Sequence, residues 1–363
     1  MPTISLLMPL TWSYSRRLLR GVRAHAAGRG WHLVWVANAG QLGSRMRLHS
    51  RPDGIIALVR SNPEMRLLKD WKIPAVNVSG RFEQSVLPRV CSDNPAIGRM
   101  AAQHLLQAGY EEFLYVGEPD EYFAEERWLG FKQTLADCGR TCRRLRLDAF
   151  LDGSAGKDLR APTGVFLYLD DAGPEVVAAV RAAGKRVPED VGIIGVNDDE
   201  VFCDLAEVPL SSIEPGLERI GLEAARMLED LLAGRKVAPE QRVPPVEVVA
   251  RLSTRREAVP DPRLAAALRW IAAHACDPLR IDALVQEVGG SRRSLEQRFK
   301  QRFGHTLHDE IQRHRFAQAR RLLRETSMDI AAVAKACGFA SPTRFGAQFR
   351  DAHGAPPGAW RRQ

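Results

Sequence analysis

Apolar segments of strand length alternate with amphipathic segments of helix length along about the first 250 residues. Strands are predicted at residues 4–8, 32–36, 54–59, 75–78, 113–116, 165–169 and 191–196. Helices are predicted between them, including residues 14–27, 95–108, 125–138 and 174–183. Several strands are continuous apolar runs, which is typical of parallel strands buried on both faces. The alternation predicts parallel sheets covered by helices, and because this region is long for one sheet we expect two Rossmann-like lobes.

The last hundred residues carry a different pattern, which occurs twice. After Ser291 the chain has an apolar residue at +4, Phe at +8, a basic residue at +9 and Gly at +13, and the same spacing follows Ser341. A short amphipathic segment ending in Gly289 or Gly338 precedes each serine. Two short helices that meet at a glycine turn are typical of a helix-turn-helix. The repeat predicts two such motifs, at about residues 281–303 and 329–353, and therefore a DNA-binding segment.

Each motif has an apolar and a polar helix face. Leu295 with Phe299, and Phe345 with Phe349, are i, i+4 pairs, which we predict to be buried stripes. A polar helix face is ordinarily only solvated, but the tandem repeat favours contact with DNA here. The candidates for DNA contact are Arg292, Arg293, Glu296, Gln297, Arg298, Thr343, Arg344 and Arg350.

The positive charge of the chain is concentrated in the same region. Residues 263–363 hold 18 Lys and Arg against 9 Asp and Glu, whereas the preceding residues hold 34 against 35. Such a distribution is expected where phosphates are the partner, so double-stranded DNA is predicted to bind there. A charged, proline-containing stretch lies between the two parts. We predict a ligand-sensing domain at residues 1–254, a linker at 255–262 and a DNA-binding domain at 263–363.

Other classes of protein are disfavoured by simpler features. The N-terminus lacks the basic leader and cleavage site of a signal peptide, and no apolar run approaches the ~20 residues of a membrane helix. The six cysteines are scattered without metal-ligand spacing, so we expect free thiols, no structural metal and no cofactor. We expect a cytoplasmic protein with no membrane partner.

Polar residues cluster where the predicted strands end, at residues 11–16, 92–94, 126–131, 169–171 and 195–200. The carboxyl ends of the strands are where open α/β sheets bind their ligands. Taken singly, Asp93 or Asn197 could equally be a helix N-cap or a turn residue. Their common position at strand ends favours a binding site.

Three of these segments resemble the sugar-sensing domain of LacI-type repressors, itself similar to periplasmic sugar-binding proteins. They are Arg-x-x-Gly-Phe at residues 127–131, Gly-Val-Asn-Asp-Asp-Glu at 195–200 and Pro-Leu-Ser-Ser-Ile at 209–213. The last hundred residues resemble the AraC/XylS DNA-binding domain, including Arg315, Ala319, Leu322 and Leu323. This order of domains is that of the xylose operon regulators. The resemblance implies an α/β, two-lobed, periplasmic-binding-protein-like sensor domain followed by an all-α domain with two helix-turn-helix motifs.

The resemblance also implies a ligand cleft. Its implied lining is Trp12, Tyr14, Arg16, Asp93, Arg127, Asp170, Asn197 and Asp198. Carboxylates can accept hydrogen bonds from sugar hydroxyls, and a guanidinium can donate to them. An aromatic face, from Trp12, Phe123 or Trp128, can cover the apolar side of the ring. The order Asn197-Asp198 is reversed relative to the usual family pattern, and residues 140–162 are short, so the ligand need not be xylose.

In the family pattern the base-reading positions of the first motif fall on Arg293, Glu296 and Gln297, with Arg292 and Arg298 nearer phosphates. Arg suits guanine, Gln suits adenine, and Glu can accept from cytosine. In the second motif the corresponding positions are Thr343, Gly346 and Ala347, of which the last two offer no hydrogen-bonding side chain. We predict that the first motif carries specificity and that the second anchors to the backbone through Arg344 and Arg350.

We therefore predict a sugar-responsive DNA-binding transcriptional regulator, an activator of a pentose catabolic operon and not an enzyme. A homodimer and contact with RNA polymerase are the further partners that this role implies. The alternative is an α/β enzyme acting on a sugar or nucleotide with an appended DNA-binding domain. Residues 153–157 resemble part of a phosphate loop, but the first glycine and the Ser or Thr after the lysine are missing. A transport-type binding protein is disfavoured by the basic C-terminal region.

Overall fold

The computed structural model describes residues 1–48, 51–152, 159, 162–255, 262–277, 281–303, 305–326, 328–353 and 355–361. The chain forms two compact units, Met1–Arg256 and Glu257–Gln363. The phosphate-loop-like residues 153–157 lie outside the described residues, as do most of the predicted linker and both glycines at the +13 position of the repeat.

The first unit contains two six-stranded sheets. Its strands are β1 (Thr3–Leu7), β2 (His32–Val36), β3 (Gly54–Ala57), β4 (Ala75–Asn77), β5 (Arg89–Ser92), β6 (Glu112–Val116), β7 (Arg143–Leu145), β8 (Thr163–Leu167), β9 (Val191–Val196), β10 (Ser211–Glu214), β11 (Glu240–Val243) and β12 (Glu247–Val249). The first sheet has the order β11-β5-β4-β3-β1-β2 and all its pairs are parallel. The second has the order β12-β10-β9-β8-β6-β7, in which only the edge strand β12 is antiparallel. The predicted two-lobed α/β fold is confirmed.

Helices follow most strands of the first unit and cover both faces of each sheet. They are α1 (Ser13–Ala26), α2 (Ala39–Leu48), α3 (Asn62–Asp70), α4 (Asn94–Gln107), α5 (Tyr122–Asp137), α6 (Leu147–Leu151), α7 (Gly173–Ala182), α8 (Glu200–Leu205) and α9 (Leu217–Leu232). Alternate residues of β1 show how the faces are filled. Ile4 and Leu6 pack in the core under α1 and α9, whereas Leu7 packs in the core under α2 and α3.

The predicted strands at residues 32–36 and 191–196 have the observed bounds, and the other predicted strands lie within two residues of theirs. Five short strands escaped prediction, namely β5, β7, β10, β11 and β12. They are three or four residues long and carry polar side chains, some of which are buried with partners. In β5, for example, Arg89 is 3% exposed and forms an ion pair with Glu240 of β11.

Two helices follow a strand of one lobe but pack in the other lobe. Helix α4 follows β5 of the first sheet but packs on α5, and α9 follows β10 of the second sheet but packs on α1. Both helix pairs meet at glycines. A Cβ atom at Gly21 would lie 1.8 Å from the carbonyl oxygen of Glu218, and one at Gly98 would lie 2.1 Å from that of Arg127. The backbones can therefore touch only because these positions lack a side chain.

The second unit is helical in its described residues. Its helices are α10 (Pro262–His274), α11 (Ile281–Val288), α12 (Arg292–Phe303), α13 (Leu307–Glu325), α14 (Ile330–Ala336), α15 (Pro342–His353) and α16 (Pro357–Trp360). The pairs α11–α12 and α14–α15 are the two predicted helix-turn-helix motifs. The second unit has two hydrophobic cores, one around each motif, and helix α13 contributes to both. Its Ile311 packs in the core of the first motif and its Leu323 in the core of the second.

No helix within the described residues has both the length and the apolar character needed to cross a membrane.

Candidate functional site

A cavity of ≈ 460 Å³ lies where the carboxyl ends of strands from both sheets face each other. From the first lobe, the segments after β1, β3 and β4 line it, and from the second, α5 and the segments after β8 and β9 do so. Its polar and aromatic lining includes Trp12, Ser13, Tyr14, Arg16, Arg60, Arg81, Asn94, Glu121, Phe123, Arg127, Asp170, Asp171, Asn197 and Asp199. The volume falls within the range of ordinary small-molecule sites.

Arg127 is the buried cation of this cavity. It is 3% exposed, and its Nε donates to Asn94 Oδ1 at 3.1 Å. One Nη donates to the carbonyl oxygen of Tyr168, and the guanidinium lies 4.9 Å from the centre of the Phe123 ring. Burial lowers the pKa of Arg127 to about 10, so it keeps its charge at neutral pH. A buried guanidinium held by amide and carbonyl oxygens can donate further to a neutral polar ligand.

Asp170 is the buried acid, 1% exposed, at the end of the segment that follows β8. Ser212 Oγ donates to its Oδ1 at 2.7 Å, and the backbone N–H of Asp199 donates to its Oδ2 at 2.9 Å. Burial raises the pKa of Asp170 to about 7, although these two hydrogen bonds oppose the rise. The carboxyl group is therefore poised between its charged and neutral forms near neutral pH.

Asn197 completes the group on the loop after β9. Its backbone has φ = 111°, and the next residue, Asp198, has φ = 49°. Left-handed or similar backbone in a residue other than glycine costs on the order of 1–3 kcal/mol and is common at functional sites. Among the described residues, none donates a hydrogen bond to the buried Oδ1 of Asn197. A buried acceptor without a partner is unfavourable, so a ligand hydroxyl at this point would be stabilising.

Tyr14, Arg16 and Trp12 form the first-lobe wall. The hydroxyl of Tyr14 donates to the carbonyl oxygen of Val78 at 3.2 Å, and burial raises its pKa. Arg16 is exposed, and its Nη1 donates to the carbonyl oxygens of Leu10 at 2.9 Å and Thr11 at 2.8 Å. Trp12 is 46% exposed at the rim. Its ring is thus available to cover the apolar face of a ligand.

Two of the predicted ligand residues do not line the cavity. Asp93 is the N-cap of α4, where its Oδ1 accepts from the backbone N–H of Ala96 at 3.0 Å. Asp198 points to Arg251, with 2.7 Å between Oδ1 and Nη2. Strand-end position alone does not show which way a side chain points. The aromatic candidate Trp128 is also elsewhere, since it packs on Tyr115 at 5.6 Å between ring centres.

The neighbours of these residues supply the polar groups that sequence reasoning missed. Asn94 follows Asp93 directly, and its Nδ2 donates to Glu126 Oε2 at 3.1 Å while its Oδ1 serves Arg127. An N-cap reading of Asp93, supported by Pro95 in the first turn, would have turned attention to Asn94. Arg60 and Arg81 follow β3 and β4 and had no recognisable motif.

Polar contacts join the two lobes across the cavity. Ser13 at the start of α1 donates to the Asp199 carboxylate, and Arg17 pairs with the buried Glu214. Arg81 and Glu121 form an ion pair with 2.5 Å between Nη2 and Oε1. The structure therefore shows the lobes in contact at residues that line the cavity.

The second unit presents the predicted DNA-contact faces. Leu295 and Phe299 of α12 are buried, as are Phe345 and Phe349 of α15, which confirms the apolar stripes. On the opposite faces the candidates Arg292, Arg293, Gln297, Arg298, Thr343, Arg344 and Arg350 are exposed, and Glu296 is partly buried. Arg292 Nε donates to Glu296 Oε1 at 2.9 Å, so Glu296 is paired with a cation of its own helix.

Family models match nearly the whole chain. One described as periplasmic binding proteins and sugar binding domain of the LacI family matches residues 2–155. A periplasmic binding protein-like domain matches residues 102–254, and a helix-turn-helix domain matches residues 284–363.

Known proteins agree with this arrangement. The chain is 30% identical over 333 residues to the xylose operon regulatory protein of Escherichia coli K12, covering 85% of this chain and 83% of that protein. The corresponding protein of Haemophilus influenzae is 28% identical over 316 residues, or 82% of each chain. A solved structure of a xylose-binding transcription activator is 26% identical and matches 99% of this chain and 98% of its own, with a TM-score of 0.64.

A solved complex of the regulator CelR with cellobiose matches 69% of this chain and 84% of its own at 24% identity, with a TM-score of 0.58. At that identity the match shows the fold of the first unit alone. The relatives that match over both units are regulators and not enzymes, which disfavours the enzyme alternative. The chain belongs to the family of xylose operon regulatory proteins, sugar-responsive transcription regulators that join a periplasmic-binding-protein-like sensor to a helix-turn-helix DNA-binding domain.

Proposed function

We propose that the cavity of the first unit binds a monosaccharide, of which D-xylose or a similar pentose is the first candidate. The observation that carries this proposal is the meeting of Arg127, Asp170 and Asn197 in one buried site. Together they offer a fixed donor, an acceptor carboxyl and an amide oxygen that has no donor among the described residues. A sugar presents several hydroxyls in fixed directions and can satisfy all three groups at once.

The remaining ligand contacts follow from the lining. We assign Tyr14, Arg16 and Trp12 to the first-lobe side of the sugar, with Trp12 over its apolar face, and Asn94 and Phe123 to the second-lobe side. Asp93 and Asp198 are left out of this set, because Asp93 caps helix α4 and Asp198 pairs with Arg251. The relatives named for xylose support a pentose as the ligand.

We assign DNA binding to the second unit. We propose that residues 263–363 bind double-stranded DNA and that residues 255–262 connect them to the sensor at residues 1–254. Helix α13 has 19 residues, which is ~28 Å at 1.5 Å per residue. That length suits two recognition helices in successive major grooves, ~34 Å apart. Arg293, Glu296 and Gln297 would read bases, with Thr343 at the corresponding position of the second motif. Arg292, Arg298, Arg344 and Arg350 would hold the DNA backbone.

A regulator of this kind acts in the cytoplasm as a homodimer, since operators with repeated half-sites are bound by paired readers. The relative described as a transcription activator supports activation, in which the bound protein contacts RNA polymerase. Sugar binding can shift DNA binding only by the difference in sugar affinity between the two states of the protein.

The test is a comparison of thermal unfolding with and without sugars. A ligand that binds only the native state raises its Tm, by an amount that grows with the ratio of concentration to Kd. We expect D-xylose or another pentose to raise the Tm of the wild type, and Asn197→Ala to abolish that rise. Asp190→Asn, at the opposite end of β9 and remote from the cavity lining, is the control and should respond like the wild type. If no pentose or hexose shifts the Tm, the proposed site is wrong.

A further inference from the structure

The chain leaves the sensor through a short segment that is firmly held. This exit segment, Arg251 with the turn Leu252–Thr254, is followed directly by the residues that lead to the DNA-binding unit. Ser253 and Thr254 are 0% and 2% exposed. Ser253 Oγ accepts from the backbone N–H of Ser211 at 2.8 Å, and Thr254 Oγ1 lies 2.7 Å from Ser211 Oγ. The position at which the chain leaves the sensor is therefore fixed by hydrogen bonds to β10.

One side chain joins this exit segment to the cavity. Arg251 Nη2 lies 2.7 Å from Asp198 Oδ1, and its Nη1 donates to the carbonyl oxygen of Leu210 at 3.1 Å. The Arg251 and Asp198 side chains are only 20% and 17% exposed, so the ion pair is poorly screened by water. Asp198 lies between Asn197 and Asp199, both of which line the cavity.

The loop that carries Asp198 is tied to the proposed ligand groups. The backbone N–H of Asp198 donates to Ser212 Oγ at 2.9 Å, and that hydroxyl in turn donates to Asp170 Oδ1 at 2.7 Å. The backbone N–H of Asp199 donates to the same carboxyl at 2.9 Å. A ligand that bonds to Asp170 or to Asn197 therefore acts on the groups that fix this loop.

The backbone of this loop is also strained. Asn197 and Asp198 both have positive φ, a conformation that persists only while surrounding contacts impose it. Changing those contacts changes which backbone arrangement is favoured, and the Asp198 carboxylate would move with it.

We infer that the Asp198–Arg251 ion pair transmits occupancy of the cavity to the exit segment, and so to the DNA-binding unit. Asp198 is thus a positioning residue for the regulatory response and not a ligand contact. The inference rests on the proposed sugar site, because that site supplies the ligand that acts on the loop. Its physical basis is a strained loop whose equilibrium both the ligand and the ion pair bias.

Hydrogen exchange of the full chain, with and without D-xylose, tests the inference. In the wild type we expect the sugar to change exchange both in cavity peptides, covering residues 165–171 and 197–203, and in the exit peptide, residues 249–255. In Asp198→Asn and in Arg251→Gln the cavity peptides should still respond and the exit response should be lost. Asp190→Asn is the matched control, since it breaks the exposed Arg186–Asp190 pair at the other end of β9.

Each other outcome is decisive. No response of the cavity peptides in the wild type would remove the sugar site itself, and this inference with it. A cavity response without an exit response in the wild type, or an exit response that survives in both variants, would overturn the inference and leave the sugar site standing. Loss of the cavity response in both variants would also overturn it, since the pair would then hold the site together instead of reporting on it. Thermal unfolding of each variant shows that it is folded.

Discussion

At the scale of single residues, the cavity combines burial with unused hydrogen-bonding capacity. Arg127 and Asp170 are almost fully buried, yet neither has its charge neutralised by a close ion pair among the described residues. Each is held by neutral donors or acceptors instead. This leaves both groups able to bond to an uncharged ligand with several hydroxyls.

Asp170 makes the stability of the sugar-free protein depend on pH. Its pKa is raised to about 7 in the folded protein, while in the unfolded chain it is about 4. Between these values the folded state binds more protons, so this group's contribution to stability is lost as pH rises through the interval. We expect Asp170→Asn to remove that part of the pH slope in urea unfolding, which for a shift of about three pKa units amounts to about 4 kcal/mol. An identical slope in wild type and variant would contradict the assignment.

The same group makes sugar affinity depend on pH with the opposite sign. Hydroxyls that donate to the carboxylate stabilise its charged form, so binding lowers the pKa of Asp170. We therefore expect affinity for the sugar, measured by calorimetry, to increase as pH rises through about 7. A constant affinity, or one that falls over this range, would show that the ligand does not donate a hydrogen bond to the Asp170 carboxylate.

Sequence reasoning at this scale located the loops better than the side chains. Six of the eight predicted ligand residues line the cavity, because the carboxyl ends of parallel strands converge. It could not tell Asp93 from Asn94, since a residue that opens a helix points either to the backbone N–H groups or away from them. The pairing of Asp198 with Arg251 joins residues 53 apart in sequence and had no local signal.

At the scale of elements, glycines set the distance between each helix that crosses from lobe to lobe and the helix on which it packs. Gly21 on α1 and Gly221 on α9 each face a backbone carbonyl of the other helix, and Gly98 on α4 and Gly130 on α5 do the same in the second lobe. The sequence predicted α1, α4 and α5. It did not predict the contacts between these helices, because hydrophobic periodicity shows that one face of a helix is buried but not which element packs against that face.

Gly21→Ala should destabilise the sensor. The new Cβ would lie 1.8 Å from a backbone carbonyl oxygen, which cannot yield as a flexible side chain would. Overpacking of this kind costs about 1–3 kcal/mol or more. Gly28→Ala is the matched control, since its Cβ would meet nothing within 4 Å. Equal midpoints of chemical unfolding for the two variants would refute the account of this helix pair.

The two recognition helices should contribute differently to DNA binding. We expect Arg293→Ala to weaken binding to cognate DNA more than to scrambled DNA, by about 1–3 kcal/mol. Arg350→Ala should weaken both about equally and reduce the salt dependence by about one unit of slope. Arg226→Ala, which removes an exposed charge from the sensor, is the control. Equal losses on both DNAs for Arg293→Ala would refute the assignment of specificity to the first motif.

At the scale of the whole molecule, the sequence predicted the order of the domains but not the path of the chain between the two sheets. The change from alternating strands and helices to a tandem helical repeat, together with the concentration of positive charge, separated the two parts of the chain. The repeated crossing between the two sheets could not be predicted, because it depends on short polar strands such as β5 and β11 that have no apolar pattern. The ion pair that joins them, between the buried Arg89 and Glu240, becomes visible only in three dimensions.

The central claim is that one molecule links a sugar in the cavity to DNA on its helix-turn-helix motifs. The most direct test is the affinity of the full chain for a duplex that it selects from a random-sequence pool, measured at one salt concentration with and without D-xylose. We predict specific binding whose affinity changes with the sugar by about 5- to 150-fold, the usual range of coupling between two sites. Binding no tighter than to a scrambled duplex, or affinity unchanged by a sugar that demonstrably occupies the cavity, would contradict it.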